Sequence, residues 1–387
     1  MIHPDYHNVL LRRYGKLLYI NKLQGEMESH FWALHCTMKL LFVTVFAILS
    51  IVCPINAAFD EGLAQRMVNF AAATFLEPTA ADVNEKAQSC FRKSYPASNF
   101  TNPKIYSIGQ CADYIEDECQ VMFTESADEK LLIVAFRGTV GMKQMKHEAS
   151  DSLKDLAVFD PENNAGTQYG QVNSYFYNAM QTLWNRIDQF QTVTAANYPG
   201  YTVIFTGHSL GGAMASLSAL RVSLKNSVPA DKIKVYTFGE PRVSDFKLAE
   251  TMKTSIPDSW RVVHYEDPVP HMPFCSGVFS DSCKTEPGHP YHRPTEIWYS
   301  NSNQKMESGD YKQCDTTNGE DPDCSNKVSI LKNIFNIIDS KGGDFHNHYY
   351  DHLLNEYGPN GCSSGATVGI TAAMVLLGIA KMVAFIF

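Results

Sequence analysis

The stretch Tyr201-Thr202-Val203-Ile204-Phe205-Thr206-Gly207-His208-Ser209-Leu210-Gly211 decides the fold class of this chain. Its first six residues, β-branched and aromatic, predict a buried strand, and Gly211 to Leu224 predicts a helix of small and aliphatic residues. Between them lies the pattern G-x-S-x-G, typical of a sharp turn that exposes a nucleophilic serine between a strand and a helix. The flanking glycines fit because the turn leaves no room for Cβ atoms. Ser209 is therefore the candidate nucleophile.

Strands and helices alternate on either side of this turn, with no internal repeat between about residues 59 and 362. The predicted strands are Val121–Phe123, Leu131–Phe136, Lys234–Phe238 and Arg261–Tyr265, and a helix is predicted from Tyr175 to Phe190. This alternation indicates βαβ units, hence one α/β domain with a mostly parallel central sheet flanked by helices. Residues 300–330, rich in Asn, Ser, Asp, Gly and Lys, are predicted to form a disulfide-tied surface excursion.

A serine hydroxyl needs a base and an acid that orients it, and in this fold type they follow the serine as acid and then histidine. Asp267 comes just after the strand Arg261–Tyr265, at a sheet edge that delivers residues to the site. Glu266 is its neighbouring rival, and Asp245 is a more distant one. The candidate bases are the histidines that follow Asp267, namely His271, His289, His292, His346, His348 and His352.

Four motifs together resemble the class 3 lipases, α/β-hydrolases similar to the fungal lipases, and especially the secreted nematode-type members. They are Phe136-Arg137-Gly138-Thr139, Thr206-Gly207-His208-Ser209-Leu210-Gly211-Gly212-Ala213, Thr237-Phe238-Gly239-Glu240-Pro241-Arg242-Val243 and Tyr265 to Pro270. The resemblance covers roughly residues 60–362 and implies an α/β-hydrolase fold. It also implies that Asp267 is the acid, and that Thr139 and the backbone N–H of Leu210 form the oxyanion hole.

The family's histidine usually stands in the context D-H-x-x-Y-F. His346 keeps H-x-x-Y-[FY] but lacks the preceding Asp, whereas His352 keeps D-H-L but lacks the aromatic residues. The spacing to Tyr357-Gly358 and Cys362 favours His346 as the catalytic base. His352 is the second alternative and His348 the third.

The segment after Thr139 is expected to be a lid. Met142, Met145, Ala149, Leu153 and Leu156 recur at helical spacing, and Lys143, Lys146, His147, Glu148 and Asp151 fill the other face. An amphipathic lid turns its apolar side toward lipid when it opens. A plain surface helix would show the same pattern.

The two ends predict export and attachment. Residues 38–57, with one lysine, an apolar run and small residues at the exit, read as a secretory signal peptide. Residues 1–37 before it form an extension of doubtful reality, because such a signal normally starts at the initiator Met, and this favours Met38 as the start. For the apolar run itself, the alternatives are an uncleaved signal anchor, with residues 1–37 in the cytosol, and a buried core helix. The apolar tail 363–387 resembles a GPI-attachment signal or a membrane helix. Lys381 counts against both, and a helix docked on the domain is the third alternative.

Cysteine usage agrees with an oxidising compartment. Of ten cysteines, Cys36 and Cys53 precede residue 58, which leaves an even set of eight. Proximity favours Cys111–Cys119, Cys275–Cys283 and Cys314–Cys324, which leaves Cys90–Cys362. A pairing between an N-terminal and a C-terminal cysteine is also what the family resemblance implies. Asn99-Phe100-Thr101 is an N-glycosylation sequon, and no C-x-x-C pair or Cys/His cluster suggests a metal.

Composition narrows the function. Lys and Arg total 32 against 41 Asp and Glu, a formal charge of −9, which disfavours nucleic-acid binding. A mean hydropathy of −0.21 excludes a polytopic membrane protein. The resemblance implies a cofactor-free serine ester hydrolase, similar to triacylglycerol lipases, working on lipid esters at a membrane or lipid-droplet surface. A phospholipase, a short-chain carboxylesterase and a catalytically silent lipid-binding module are the alternatives.

Overall fold

The structure, a computed structural model, describes residues 57–140, 156–162, 169–275, 282–302, 305–328 and 345–363, together with Gln144 and His147. The extension 1–37, the predicted signal peptide apart from Ala57, most of the predicted lid and the tail beyond Ser363 lie outside the described residues. No helix among the residues described is long and apolar enough to cross a bilayer.

The longer strands in chain order are β1 (Lys104–Gly109), β2 (Glu118–Ser126), β3 (Leu131–Phe136), β6 (Thr202–His208), β7 (Ile233–Phe238), β9 (Asp258–His264) and β11 (Glu296–Tyr299). The two-residue strands are β4 (Ala157–Val158), β5 (Gln171–Val172), β8 (Ser244–Asp245), β10 (Pro290–Tyr291), β12 (Lys312–Gln313), β13 (His348–Tyr349) and β14 (His352–Leu353). The helices are α1 (Glu61–Ala73), α2 (Val83–Ser94), α3 (Ser174–Arg186), α4 (Leu210–Leu224), α5 (Phe246–Ser255) and α6 (Leu354–Tyr357).

Eight strands form the central sheet, in the order β1-β2-β3-β6-β7-β9-β11-β12. The five strands from β3 to β11 are parallel to their neighbours, whereas β1, β2 and β12 pair antiparallel at the two edges. The mostly parallel sheet predicted from the alternation is therefore confirmed. Because parallel strands end at one edge, the residues after β3, β6, β7 and β9 meet there.

The sheet is covered on both faces, which explains the nearly continuous apolar runs of its central strands. Neighbouring residues of β3 point to opposite sides: Val134 packs in the core with α3 and α4, and Ile133 packs in the core with α1. In β6, Phe205 and Ile204 divide in the same way. The sharp turn around Ser209, which we call the elbow, follows β6. The parallel pairing of β3 with β6, in which Phe136 lies opposite Gly207, places the elbow beside the end of β3.

The segment 300–330, predicted as a surface excursion, also contributes a strand to the central sheet. Lys312–Gln313 adds β12 to the edge of the central sheet by pairing with β11. Backbone hydrogen bonding suffices for such an edge strand, so both of its exposed side chains lack the apolar pattern that would have predicted it. The excursion also buries the side chain of Glu320. The predicted helix Tyr175–Phe190 likewise ends earlier, at Arg186.

Four disulfides are present in the described residues. They join Cys90 to Cys362, Cys111 to Cys119, Cys275 to Cys283 and Cys314 to Cys324. The first connects α2 with the end of the described chain, across 272 residues of sequence. The other three close short loops.

Candidate active site

The elbow holds Ser209 in a conformation that non-glycine residues rarely adopt, with φ 57° and ψ −128°. The backbone tolerates this turn only because its flanks have no side chains. A Cβ on Gly207 would lie 2.3 Å from the carbonyl carbon of Gly211, and one on Gly211 would lie 2.2 Å from the oxygen of Phe136. Both glycines are therefore required sterically, as the sequence pattern suggested. The turn places the Ser209 hydroxyl at the N-terminus of α4.

Three side chains from distant parts of the chain meet at this hydroxyl. His346 Nε2 lies 2.9 Å from Ser209 Oγ. On the other side of the ring, His346 Nδ1 lies 3.0 Å from both Asp267 Oδ1 and Oδ2. Since a carboxylate only accepts, Nδ1 carries the proton and leaves Nε2 free to accept the serine proton. This arrangement can activate a serine for attack on a carbonyl carbon.

Asp267 is fully buried and stays ionised. Burial by itself raises the pKa of this carboxyl, but the charge and hydrogen bond of His346, the Tyr349 hydroxyl and the Val269 N–H together hold the pKa below its ordinary value. Tyr349 donates to Oδ2 at 2.6 Å and Val269 N–H to Oδ1 at 2.9 Å. Gly239 leaves room for this carboxylate, because a Cβ there would lie 2.7 Å from Oδ2. The acid is thus fixed from several sides.

Thr139 and Leu210, the two residues predicted for an oxyanion hole, follow the ends of the adjacent strands β3 and β6. Gly138 packs against the elbow so closely that a Cβ would lie 2.9 Å from the His208 carbonyl oxygen. Thr139 therefore follows β3 directly beside the turn. Leu210 is the first residue of α4, whose N-cap Ser209 makes no side-chain capping bond. The first N–H groups of a helix lack intrahelical acceptors and favour negative charge.

The rival acids and bases have other contacts. Asp245 caps α5 by accepting the Leu248 N–H at 2.8 Å. Glu266 is buried beside Asp267, but the contact to His346 Nδ1 comes from Asp267. His352 stacks on Tyr357 with ring centroids 3.9 Å apart. His292 donates to the Pro270 carbonyl, and the backbone carbonyl of His348 accepts from His264.

The sequence reasoning missed two kinds of supporting residue. The motif H-x-x-Y includes Tyr349, but the sequence assigned it no role. Its spacing from His346 is the one signal that it reaches the same acid. His208 and His264 each contact the backbone beside His346. No local pattern reports such a contact, because the partners are more than eighty residues apart.

No metal site emerges from the described residues. The buried grouping of Glu296 with Cys314 and Cys324 has both sulfur atoms in one disulfide, so neither is available as a thiolate ligand.

The fold and the site together define a serine hydrolase of the α/β-hydrolase class. The family described as Lipase (class 3) matches residues 133–277. Lipase ZK262.3 of Caenorhabditis elegans is 30% identical over 331 residues, covering 81% of this chain and 86% of that protein. The chain therefore belongs to the class 3 lipase family and is a serine ester hydrolase acting on lipid esters. The family match includes Ser209 and Asp267 and ends well before His346.

Two further comparisons also find lipases. Secreted mono- and diacylglycerol lipase 2 of Gibberella zeae is 28% identical over 205 residues, 48% of this chain and 49% of that protein. The structure of a Rhizomucor miehei lipase–propeptide complex superposes with a TM-score of 0.55 at 21% identity, over 76% of this chain and 82% of that chain. The structural likeness supports the α/β-hydrolase fold.

Proposed function

We propose that this lipase cleaves its ester through Ser209, His346 and Asp267. His346 Nε2 takes the proton of Ser209 as Oγ attacks the carbonyl carbon, and then returns it to the leaving alcohol. A water molecule then attacks the acyl-enzyme, with His346 again taking and returning a proton, and this step regenerates Ser209. Asp267 holds the ring of His346 and stabilises its charged form. The observation that carries this proposal is the continuous hydrogen-bonded line from Ser209 Oγ to the buried Asp267.

In the same proposal, Thr139 and the N–H of Leu210 stabilise the oxyanion of the tetrahedral intermediate. Each donor of this kind contributes about 3 kcal/mol to transition-state binding. The support is positional, because Gly138, the neighbour of Thr139, packs against the elbow, and Leu210 is the first residue of α4. Donors held there by backbone need no rearrangement when the negative charge forms.

We infer that the substrates are acylglycerols. The family acts on lipid esters, and the Gibberella zeae relative is named for mono- and diacylglycerols. Purified protein should hydrolyse emulsified acylglycerols faster than phospholipid vesicles or soluble short-chain p-nitrophenyl esters. Ser209→Ala is the control in every assay. Faster turnover of phospholipid would instead assign a phospholipase, and faster turnover of the soluble esters a carboxylesterase. No turnover of any of these would support a silent lipid-binding module.

We also infer that the enzyme works outside the cell. The four disulfides and the exposed Asn99 of the sequon are compatible with the secretory route. Peptide mapping of protein from a secretory host, without reduction, should find all four bridges, glycan on Asn99 and an N-terminus near residue 58. A C-terminal peptide ending near Ser363 or Ser364 would indicate a GPI signal, and one extending beyond Ala366 a retained tail.

A further inference from the structure

Two buried histidines, besides the three residues Ser209, His346 and Asp267, contact the backbone around His346. His208 precedes the nucleophile, and its Nε2 lies 2.7 Å from the carbonyl oxygen of His346. His264 ends β9, and its Nδ1 lies 2.8 Å from the carbonyl oxygen of His348 and 3.2 Å from that of Phe345. Three carbonyl groups around the base are therefore held by two imidazole rings from different strands.

These contacts determine the tautomer of each ring. A carbonyl oxygen can only accept, so His208 carries its proton on Nε2 and His264 on Nδ1. The opposite nitrogens, His208 Nδ1 and His264 Nε2, are buried and have no hydrogen-bond partner among the residues that the structure describes. If either ring took up a second proton, the new N–H group would have no hydrogen-bond acceptor among the described residues. Each ring acts as a donor with one fixed proton.

The rings also stay uncharged. Burial, reinforced by the charge of His346, lowers the pKa of His208 to about 3, and burial lowers the pKa of His264 as well. This neutrality matters because the rings of His208 and His346 are only 4.5 Å apart between centroids. His346 becomes positive when it takes the serine proton, and a charged donor beside it would oppose that step.

We propose that His208 and His264 form a histidine clamp, a pair of positioning residues that hold the segment 345–348 so that His346 Nε2 stays within reach of Ser209. The inference rests on the proposed role of His346 as the base. His208 acts from the elbow itself, so the nucleophile and the backbone of its base are joined through adjacent residues. His264 acts from the strand that precedes Asp267, and it joins the base to the acid in the same way.

The two tautomers provide a matched test in the full-length protein. A glutamine amide reaches about as far as Nε2, and an asparagine amide about as far as Nδ1. We expect His208→Gln and His264→Asn to rescue kcat to within about threefold of wild type. His208→Asn and His264→Gln should lower kcat about 10- to 100-fold at unchanged KM, because a displacement of about 1 Å has that effect. The amide that does not reach leaves a buried carbonyl without its donor and should also lower Tm, so kcat is compared at a temperature at which every variant is fully folded.

Equal kcat for Asn and Gln at one position, measured where both variants are fully folded, would overturn the clamp. His346→Ala distinguishes the two proposals. If it stays active, the assignment of His346 as the base fails and the clamp fails with it. If it is inactive while all four amide variants turn over normally, only the clamp fails. A measurement without any variant uses ¹⁵N-histidine: wild-type protein must show His208 as the Nε2–H tautomer and His264 as the Nδ1–H tautomer, and opposite tautomers would reject the proposal.

Discussion

The proposed catalytic cluster consists of Ser209, Asp267, His346 and the two clamp histidines. Beside it lies a second buried polar region, which we call the ion-pair network. It consists of the pairs Arg242–Glu320, Arg293–Glu240 and Arg261–Glu296. The loop after β9 belongs to both regions. Asp267, the third residue of this loop, contacts His346. Further along, the carbonyls of His271 and Pro273 accept from Arg242 Nη1 at 2.6 and 3.0 Å.

The two regions solve the problem of burial differently. In the network every arginine faces a glutamate, and Arg242 meets Glu320 through two bonds of 2.8 Å, so the charges are permanently matched. In the catalytic cluster Asp267 is the permanent charge, and the neighbours of His346 are neutral donors. In the proposed mechanism His346 becomes positively charged during each turnover, and fixed cations beside it would oppose that step. Changes in the cluster should therefore affect rate, and changes in the network should affect stability.

The largest effect tests the cluster itself. Ser209→Ala and His346→Ala should each lower kcat/KM by about 10⁴-fold or more, and the double variant should be no worse than either single one, because the residues act as one unit. His352→Ala, the matched control, should change activity less than about threefold. Thermal unfolding should be nearly unchanged in the Ser209 variant. If His352→Ala were the inactive one, His352 would be the base.

The second effect belongs to the network. Burial raises the pKa of Glu320, but the Arg242 guanidinium more than reverses this, so the carboxyl is ionised and compensates a buried cation. Glu320→Gln should lower the free energy of unfolding by about 3–5 kcal/mol, because it leaves Arg242 unpaired. Urea denaturation measures this, with the exposed Glu77→Gln as the control, expected within about 0.5 kcal/mol of wild type. Folded molecules should retain kcat within about threefold, and a large loss of kcat at full stability would contradict the separation of the two regions.

A smaller effect on rate is expected from Tyr349→Phe. The change removes the hydroxyl that donates to Asp267 Oδ2, and a hydrogen bond to a charged group contributes about 1.5–3 kcal/mol. We expect kcat to fall about 10- to 100-fold. Tyr350→Phe is the matched control, since its hydroxyl contacts Tyr299 instead, and it should leave kcat within about twofold. Equal rates in the two variants would show that the phenol has no part in orienting the acid.

The smallest effect per residue is shared by both regions. Burial lowers the pKa of His208 and His264 in the cluster, and of His271 and His292 beside the network, with His271 at about 4. Below an unfolded pKa of about 6.5 the unfolded chain takes up protons that the folded one does not, so stability is lost as pH falls. His208, His271 and His292 should each contribute about 1 kcal/mol of this loss between pH 6.5 and 5.5, and His264 contributes in the same direction.

Chemical denaturation at the two pH values measures the loss. His292→Gln preserves a donor toward the Pro270 carbonyl and removes one titrating group, so its loss should be smaller by about 1 kcal/mol. Stability that stays constant or rises on acidification would contradict the neutral state of these rings.

The sequence by itself predicted the features whose causes lie within a few neighbouring residues. The apolar runs of β3 and β6 predicted buried strands, because a strand covered on both faces needs no polar residues. Gly207 and Gly211 predicted the elbow, since their missing Cβ atoms make room within the turn itself. The position of Asp267 followed from the strand just before it. Because the strands of a parallel sheet end at the same edge, the alternation of strands and helices then predicted that these elements meet there.

Only the tertiary structure decided the contacts that join distant parts of the chain. His346 and His352 each keep half of the family motif, and the contact with Ser209, 137 residues away in sequence, distinguishes them. The burial of Glu320 against Arg242 and the hold of His208 on the His346 carbonyl have no local pattern either. Such contacts depend on how distant segments pack together and on which buried polar groups still need a hydrogen-bond partner. The residues next to each group in the sequence carry no signal of either.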